Sequence, residues 1–112
     1  MYKFEVWLAD LNPKIGTKPG KTRPVVVVQT DMLNEAGHPS TIICPFTTNV
    51  KPGAEILRIH VNKGIAGITE SSDIMLDQIR AIDNRRLIRK IGFLPKPGQQ
   101  ILQNNLRILL DL

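Results

Sequence analysis

Lys21-Thr22-Arg23-Pro24-Val25-Val26-Val27-Val28 is the stretch on which the fold turns. Pro24 sets its own φ and opens an unbroken β-branched run, which suits a pleated backbone and predicts a central strand buried on both faces. Upstream, residues 3–10 alternate, with Phe4, Val6 and Leu8 on one face, and predict a half-buried strand ending at the turn-forming Asn12-Pro13. Between these strands, residues 14–22 carry Gly16, Pro19 and Gly20 among lysines, a composition for irregular backbone whose amides can meet an anion.

Downstream, residues 31–36 predict a short helix closed by Gly37. Residues 41–46, 55–61 and 73–82 read as three further strands, the second with Ile56, Arg58 and His60 opposite Leu57, Ile59 and Val61. Asp83-Asn84 reads as a turn, and residues 87–94 fit a short helix or an edge strand. Residues 97–112 predict a helix with Leu102, Leu106, Leu109 and Leu110 on its apolar side and Gln99, Gln103 and Arg107 on its wet side. Five or more short strands and one closing helix imply a mainly β (α+β) chain: a small, strongly curved sheet or partly open barrel, its helix over an end or edge. Ile101, Ile108 and Leu112 widen the helix's apolar surface beyond one face, and a homodimer would bury the excess.

At 112 residues with 42% hydrophobic content, the chain fits a single domain over residues 1–112. The opening residues run straight into a strand pattern and the longest apolar run cannot span a bilayer, so the expected address is the cytoplasm, with no membrane partner. Cys44, the one cysteine, has Ile42, Ile43 and Phe46 around it and reads as core packing rather than a nucleophile. A net charge of +5 points to an acidic partner, and its distribution says more than its total. Lys14, Lys18, Lys21 and Arg23 form one basic stretch; Arg85, Arg86, Arg89, Lys90 and Lys96 form another. With one Trp and one Tyr, no aromatic platform for stacking bases is visible.

Cys44, His38 and His60 stand apart, no carboxylates pair at helical intervals, and Gly16-Thr17-Lys18-Pro19-Gly20 lacks the spacing of a nucleotide-phosphate loop. No cofactor or metal is expected. Arg23-Pro24 would hold a permanently charged guanidinium in fixed orientation at the mouth of the valine strand, as binding a phosphate requires. Thr47-Thr48-Asn49 offers hydroxyl and amide donors where a strand gives way to a loop. From spacing alone, the plainer readings are favoured: a strand-end salt bridge and an ordinary turn. His38 in a loop and His60 alternating with Arg58 read as satisfied surface histidines rather than acid–base catalysts.

In their order along the chain these segments resemble the MazF/PemK family of toxin endoribonucleases from bacterial toxin–antitoxin pairs. The likeness runs nearly end to end. It is carried by Val6-Trp7-Leu8-Ala9-Asp10-Leu11-Asn12-Pro13, by Gly16 followed by residues 21–28, by Pro45-Phe46-Thr47-Thr48 and by Leu76-Asp77-Gln78-Ile79-Arg80-Ala81-Ile82-Asp83. Arg86-Leu87 and Ile91-Gly92-Phe93-Leu94 fit as well. The resemblance implies an SH3-like barrel of the CcdB/PemK-MazF type with a C-terminal helix, a homodimer, and sequence-specific, metal-independent cleavage of single-stranded RNA by its own 2'-hydroxyl. It places the catalytic arginine at Arg23 and the catalytic threonine at Thr47. Asp77 is a lesser candidate for a catalytic or RNA-contacting group, and Lys18, Lys21, Asn34, Thr48, Gln78 and Arg80 are assigned to RNA binding. Gln78 and Arg80, two apart in the strand reading, share a face that lines a groove or is simply solvated.

One departure stands out. Many members carry Gly-Ser-Glu where this chain has Gly16-Thr17-Lys18. A carboxylate is replaced by a cation, which at neutral pH grips phosphate rather than accepting a proton. Implied partners are single-stranded RNA and a cognate antitoxin whose disordered acidic segment lies across the basic groove, with DNA binding only within that complex. The competing readings are a CcdB-like toxin that poisons DNA gyrase without cutting, and a catalytically silent binding or co-repressor module. CcdB-like chains end in Trp-Gly-Ile, whereas this one ends Ile108-Leu109-Leu110-Asp111-Leu112 and keeps Arg23 and Thr47.

Overall fold

The computed structural model describes residues 1–11 and 21–112, so Lys14, Gly16, Thr17 and Lys18 lie outside the described residues. Its strands are β1 (Glu5–Asp10), β2 (Thr22–Val27), β3 (Ser40–Thr47), β4 (Arg58–Val61), β5 (Ser72–Met75), β6 (Arg80–Asp83) and β7 (Leu87–Phe93). The helices are α1 (Asp31–Glu35) and α2 (Lys96–Leu110). The sheet runs β4-β5-β3-β2-β1-β7, with β6 joined to β3, and every pairing is antiparallel.

The valine strand is buried on both faces, as its sequence predicts, because a strand sends successive side chains to opposite sides. Val26 enters one core with Val6, Cys44, Phe46, Ile74, Leu76 and Leu102. Val25 and Val27 enter a second with Ala9, Leu11, Ile43 and Ile82. All three valines are fully buried, each contributing roughly 1.5–3 kcal/mol over an exposed position.

Residues 73–82 are not one strand. β5 pairs with β3 through Phe46↔Ile74 and Thr47↔Asp73, and β6 pairs with the same strand through Ile43↔Arg80 and Ile42↔Ala81. Between these pairings, Cys44 and Pro45 on β3 face residues 75–79 of the opposing segment, and the surplus folds into a 3-10 turn, Leu76–Gln78. Pro45, which has no N–H to give, falls in this gap, where the ladder to β5 and β6 is interrupted. Gln78 therefore sits on a turn rather than in a strand alternating with Arg80.

The expected strand 55–61 is shorter for a related reason. Residues before Arg58 form a turn closed by the Arg58 amide on the Ala54 carbonyl (2.9 Å), so only Arg58–Val61 pair in the sheet. Residues 87–94 resolve as an edge strand, β7, which follows β1 with two irregularities in register. Lys90 Nζ on β7 pairs with Glu5 Oε2 on β1 at 2.9 Å.

The sheet curls back on itself into the expected small barrel. Residues joining β4 to β5 press against β7, where Gly67 and Gly92 permit backbone to meet backbone: a Cβ on Gly67 would strike the Ile91 carbonyl, and one on Gly92 would strike Ala66. α2 closes one side. Pro97 sits in its first turn, Leu102 is fully buried, and Leu106 and Leu109 pack partly against the core that holds Val26. Leu110 does not join them; it is 46% exposed, with Ile101, Ile108 and Leu112 exposed as well. The helical stripe is thus narrower than the leucine spacing predicts.

Replacing Gly67 by alanine should cost at least about 2 kcal/mol, because its φ of +78° and the contact with β7 both oppose a side chain. Gly53→Ala, at φ +88° with open space around it, should cost only about 1 kcal/mol. Equal losses in denaturant unfolding would show that the loop does not brace β7.

Candidate functional site

β2 and β3 are antiparallel, with Val25 opposite Pro45. Carrying that register outward brings Arg23 across from Thr47, at the end of the sheet where both strands leave the core. Phe46 supplies the fixed point: its side chain is 1% exposed in the core, while its carbonyl accepts a hydrogen bond from Arg23 Nη1 at 3.2 Å. A tethered guanidinium retains donors for another group, since Arg carries five N–H bonds. Thr47 Oγ1 accepts the Asn49 amide at 3.2 Å, leaving its own proton to donate.

Two adjoining clefts share Lys21, Arg23 and Thr47. The first, about 260 Å³, is also lined by Thr48, Ile68 and Thr69, with Glu70 its one carboxylate among the described residues. The second, about 340 Å³, adds Asn49, Arg58, Met75, Gln78 and Arg80. No carboxylate is among its described lining residues, which include four cations: Lys21, Arg23, Arg58 and Arg80. Arg80 is steadied by its Nη2 donating to the Leu11 carbonyl at 3.2 Å.

Of the residues singled out in the sequence, Lys21, Arg23, Thr47, Thr48, Gln78 and Arg80 thus meet around one pair of clefts. Others do not join them. Lys18 lies outside the described residues. Asn34 sits on α1, where its side-chain amide bonds the Gln29 carbonyl and Asp31 Oδ1, both at 3.1 Å, and its oxygen accepts from Gln29 Nε2 at 3.0 Å. Asp77 is exposed on the 3-10 turn and lines neither cleft. His38 is exposed in a loop beside Ser40. His60 is held by Asp73 Oδ1 at 3.0 Å and Asn62 Oδ1 at 3.1 Å.

Two residues escape the sequence reading as site candidates. Arg58 lines the second cleft, and behind it Asp73, 1% exposed, binds Arg58 through Oδ2 at 3.4 Å. Alternation signalled that Arg58 and His60 share a face; nothing signalled that a carboxylate on the neighbouring strand lies between them. Among the described residues, no group of three or more His, Cys, Asp and Glu could hold a metal ion. None of the described helices is long and apolar enough to cross a membrane.

A small antiparallel barrel, closed by a terminal helix and carrying an arginine-lined cleft at the end of its central strands, defines the class. Residues 2–110 match the family model for PemK-like, MazF-like toxins of type II toxin–antitoxin systems. The chain belongs to that family. A Staphylococcus epidermidis protein named endoribonuclease MazF is 33% identical over 108 residues, covering 96% of this chain and 89% of the relative. The fold is also that of a MazE–MazF structure from Deinococcus radiodurans, with a TM-score of 0.81 at 18% identity, covering 100% of this chain and 96% of that one. A mycobacterial endoribonuclease solved with its cognate antitoxin gives 0.79 at 14% identity, covering 100% and 96%. This assignment does not favour the CcdB-like reading.

Cys44 is fully buried, and burial first, with the nearby Asp77 charge second, pushes its thiol up to about 12. Because the thiolate is the nucleophile, the native thiol is inert below that range. Iodoacetamide at pH 8 should label Cys44 only after denaturation; rapid labelling of native protein would contradict the burial.

Proposed function

We propose that this chain is the toxin of a type II toxin–antitoxin pair and acts as a sequence-specific endoribonuclease on single-stranded RNA, in the cytoplasm, without a metal. The observation that carries this reading is the Arg23 guanidinium, fixed on the Phe46 carbonyl beside the Thr47 hydroxyl in a cleft lined by cations. Residues 1–112 form the single toxin domain of this reading.

In the reaction the 2'-hydroxyl attacks the adjacent phosphorus, the 5'-oxygen leaves, and a cyclic phosphate remains. The protein orients the chain and stabilises the charge that accumulates on the phosphorane oxygens. Arg23 faces that charge with charge-assisted hydrogen bonds. Thr47, its oxygen already accepting from the Asn49 amide, donates a hydrogen bond to a non-bridging oxygen and keeps its proton, while the 2'-hydroxyl proton passes to water and the leaving 5'-oxygen takes one from water. Lys21, Thr48, Gln78 and Arg80 line the path of the flanking nucleotides, and Lys18, outside the described residues, is assigned to phosphate binding by its charge and its place in the sequence. Asp77 is the lesser candidate for a direct role, and Asn34, bonded to Gln29 and Asp31 outside both clefts, is assigned to RNA contact by the family resemblance alone. The exposed Ile101, Ile108, Leu110 and Leu112 support a homodimer.

The same cations suit an antitoxin with a disordered acidic segment that orders across the cleft and excludes RNA; DNA is bound only by that complex. A charge-led interface weakens steeply with salt. Affinity for the acidic segment should fall as salt rises, and a flat response in titration calorimetry would count against this mode of inhibition.

Incubated with a long unstructured RNA in EDTA, the protein should yield discrete fragments with cyclic phosphate and 5'-hydroxyl ends. Arg23→Ala and Thr47→Ala should each slow cleavage by about a hundredfold or more while unfolding normally. Intact RNA with the native protein, or full activity in both variants, overturns the assignment.

A further inference from the structure

We propose that Arg58 is a further RNA-contacting residue, gripping a phosphate next to the one held by Arg23, and that the buried Asp73 is its positioning residue. This rests on the ribonuclease reading above. Arg58 lines the same cleft as Arg23, Thr47, Gln78 and Arg80, which has no carboxylate among its described lining residues, yet it reaches that cleft from β4, three strands away from β2 in the sheet order.

Its guanidinium is held at two points. Nη1 donates to the Asn49 carbonyl at 3.2 Å and to Asp73 Oδ2 at 3.4 Å, and the side chain is 15% exposed. Asn49 is the residue whose amide bonds Thr47 Oγ1, so one short chain of hydrogen bonds joins Arg58 to the threonine. The sheet register reinforces the link. Asp73 is the cross-strand partner of Thr47 on one side and of His60 on the other.

Burying a carboxylate is costly unless it is paired and hydrogen-bonded. Asp73 meets that requirement on both oxygens: Oδ2 takes Arg58 and the Lys51 amide at 2.9 Å, and Oδ1 takes His60 at 3.0 Å. A carboxylate here costs more than an aliphatic residue, and what it adds is a fixed direction for Arg58. Because Asp73 is 1% exposed and is not among the residues that line the cleft with Arg23, it steers the cation without presenting its carboxylate to that cleft.

Arg58 also lines a further cleft of about 360 Å³, shared with Lys51, Glu55, His60 and Asp73, and so forms the wall between a cleft with no described carboxylate and one that holds two. A single strand passing Arg23 and Thr47 reaches Arg58 at that wall, where a phosphate meets the remaining guanidinium N–H groups.

Cleavage of a long unstructured RNA and binding of a 2'-O-methyl RNA pool at several salt concentrations test this in Arg58→Ala, Arg58→Lys, Asp73→Asn and Arg85→Ala proteins, with Arg23→Ala beside them. Arg58→Ala should raise KM roughly ten- to a hundredfold, far more than it lowers kcat. It should also reduce the slope of log affinity against log salt by about 0.7, the value of one phosphate contact on a single strand. Arg58→Lys should recover the slope and only part of the affinity. Asp73→Asn keeps the arginine's charge, so it should raise KM in the same direction with the slope retained. Arg85, an exposed cation paired with Asp83 at 2.9 Å, controls for net charge, and its loss should leave KM unmoved. Native KM and slope in folded Arg58→Ala, in a protein that Arg23→Ala disables, overturn the proposal and leave the ribonuclease reading standing. If the native protein neither cuts nor binds RNA, that reading falls first and takes this one with it.

Discussion

The double burial of β2 is the constraint from which the rest follows. A strand whose alternate side chains enter two different cores cannot slip by one residue without exchanging both sets of contacts, so its register is fixed more firmly than that of a half-buried strand. Val25 and Val27 belong to one core and Val26 to the other. Where the run ends, Arg23 is delivered to the edge of the sheet at a defined height and direction. Phe46 does the same from β3, filling the core with its ring and offering its carbonyl to Arg23. The guanidinium is thus placed by packing several residues away.

Much of this was legible because the signals were strong and local. Four successive valines after Arg23-Pro24 admit few alternatives, and the alternation of residues 3–10 fixes a partner strand. The break within residues 73–82 was harder to see, since Ile74, Leu76 and Ile82 are all buried and share the parity of a continuous strand. Gln78 and Arg80 have that same parity and would have faced the core. That conflict was the available sign of a turn. Its cause lies on another strand, in the gap at Pro45, which no local window contains. Leu110 shows the opposite limit: helical spacing places it near the apolar stripe, but the width of surface actually covered is a property of the packed barrel.

The candidate site divides along the same line. Arg23, Thr47 and Thr48 could be picked out because each stands at the end of a recognisable strand, where a rigid support meets a loop. Asn34 could not be placed, because whether an asparagine faces a groove or caps its own surroundings depends on Gln29 and Asp31, whose side chains meet it only after folding. Arg58 was visible as a strand residue and invisible as a site residue. Its relation to Arg23 passes through β3 and β5, and its anchor Asp73 sits in a segment that sequence pattern reads as ordinary strand.

Charge placement gives the cleft its character. A cluster of arginines at one end of a sheet repels itself, and such clusters are commonly eased by carboxylates among them. Here the easing is done from elsewhere: the Phe46, Leu11 and Asn49 carbonyls accept from Arg23, Arg80 and Arg58, and the carboxylate that serves Arg58 is buried beneath it. Backbone carbonyls carry partial charge, so they tether Arg23 and Arg80 without bringing a full counter-charge, whereas Asp73 offsets part of the charge on Arg58 from outside the cleft. Tethering by carbonyls therefore reconciles two demands that conflict, holding several guanidinium groups still while keeping their charge available to an anion. Leu11 and Asn49 lie just past the ends of β1 and β3, which puts their carbonyls within reach of the arginines.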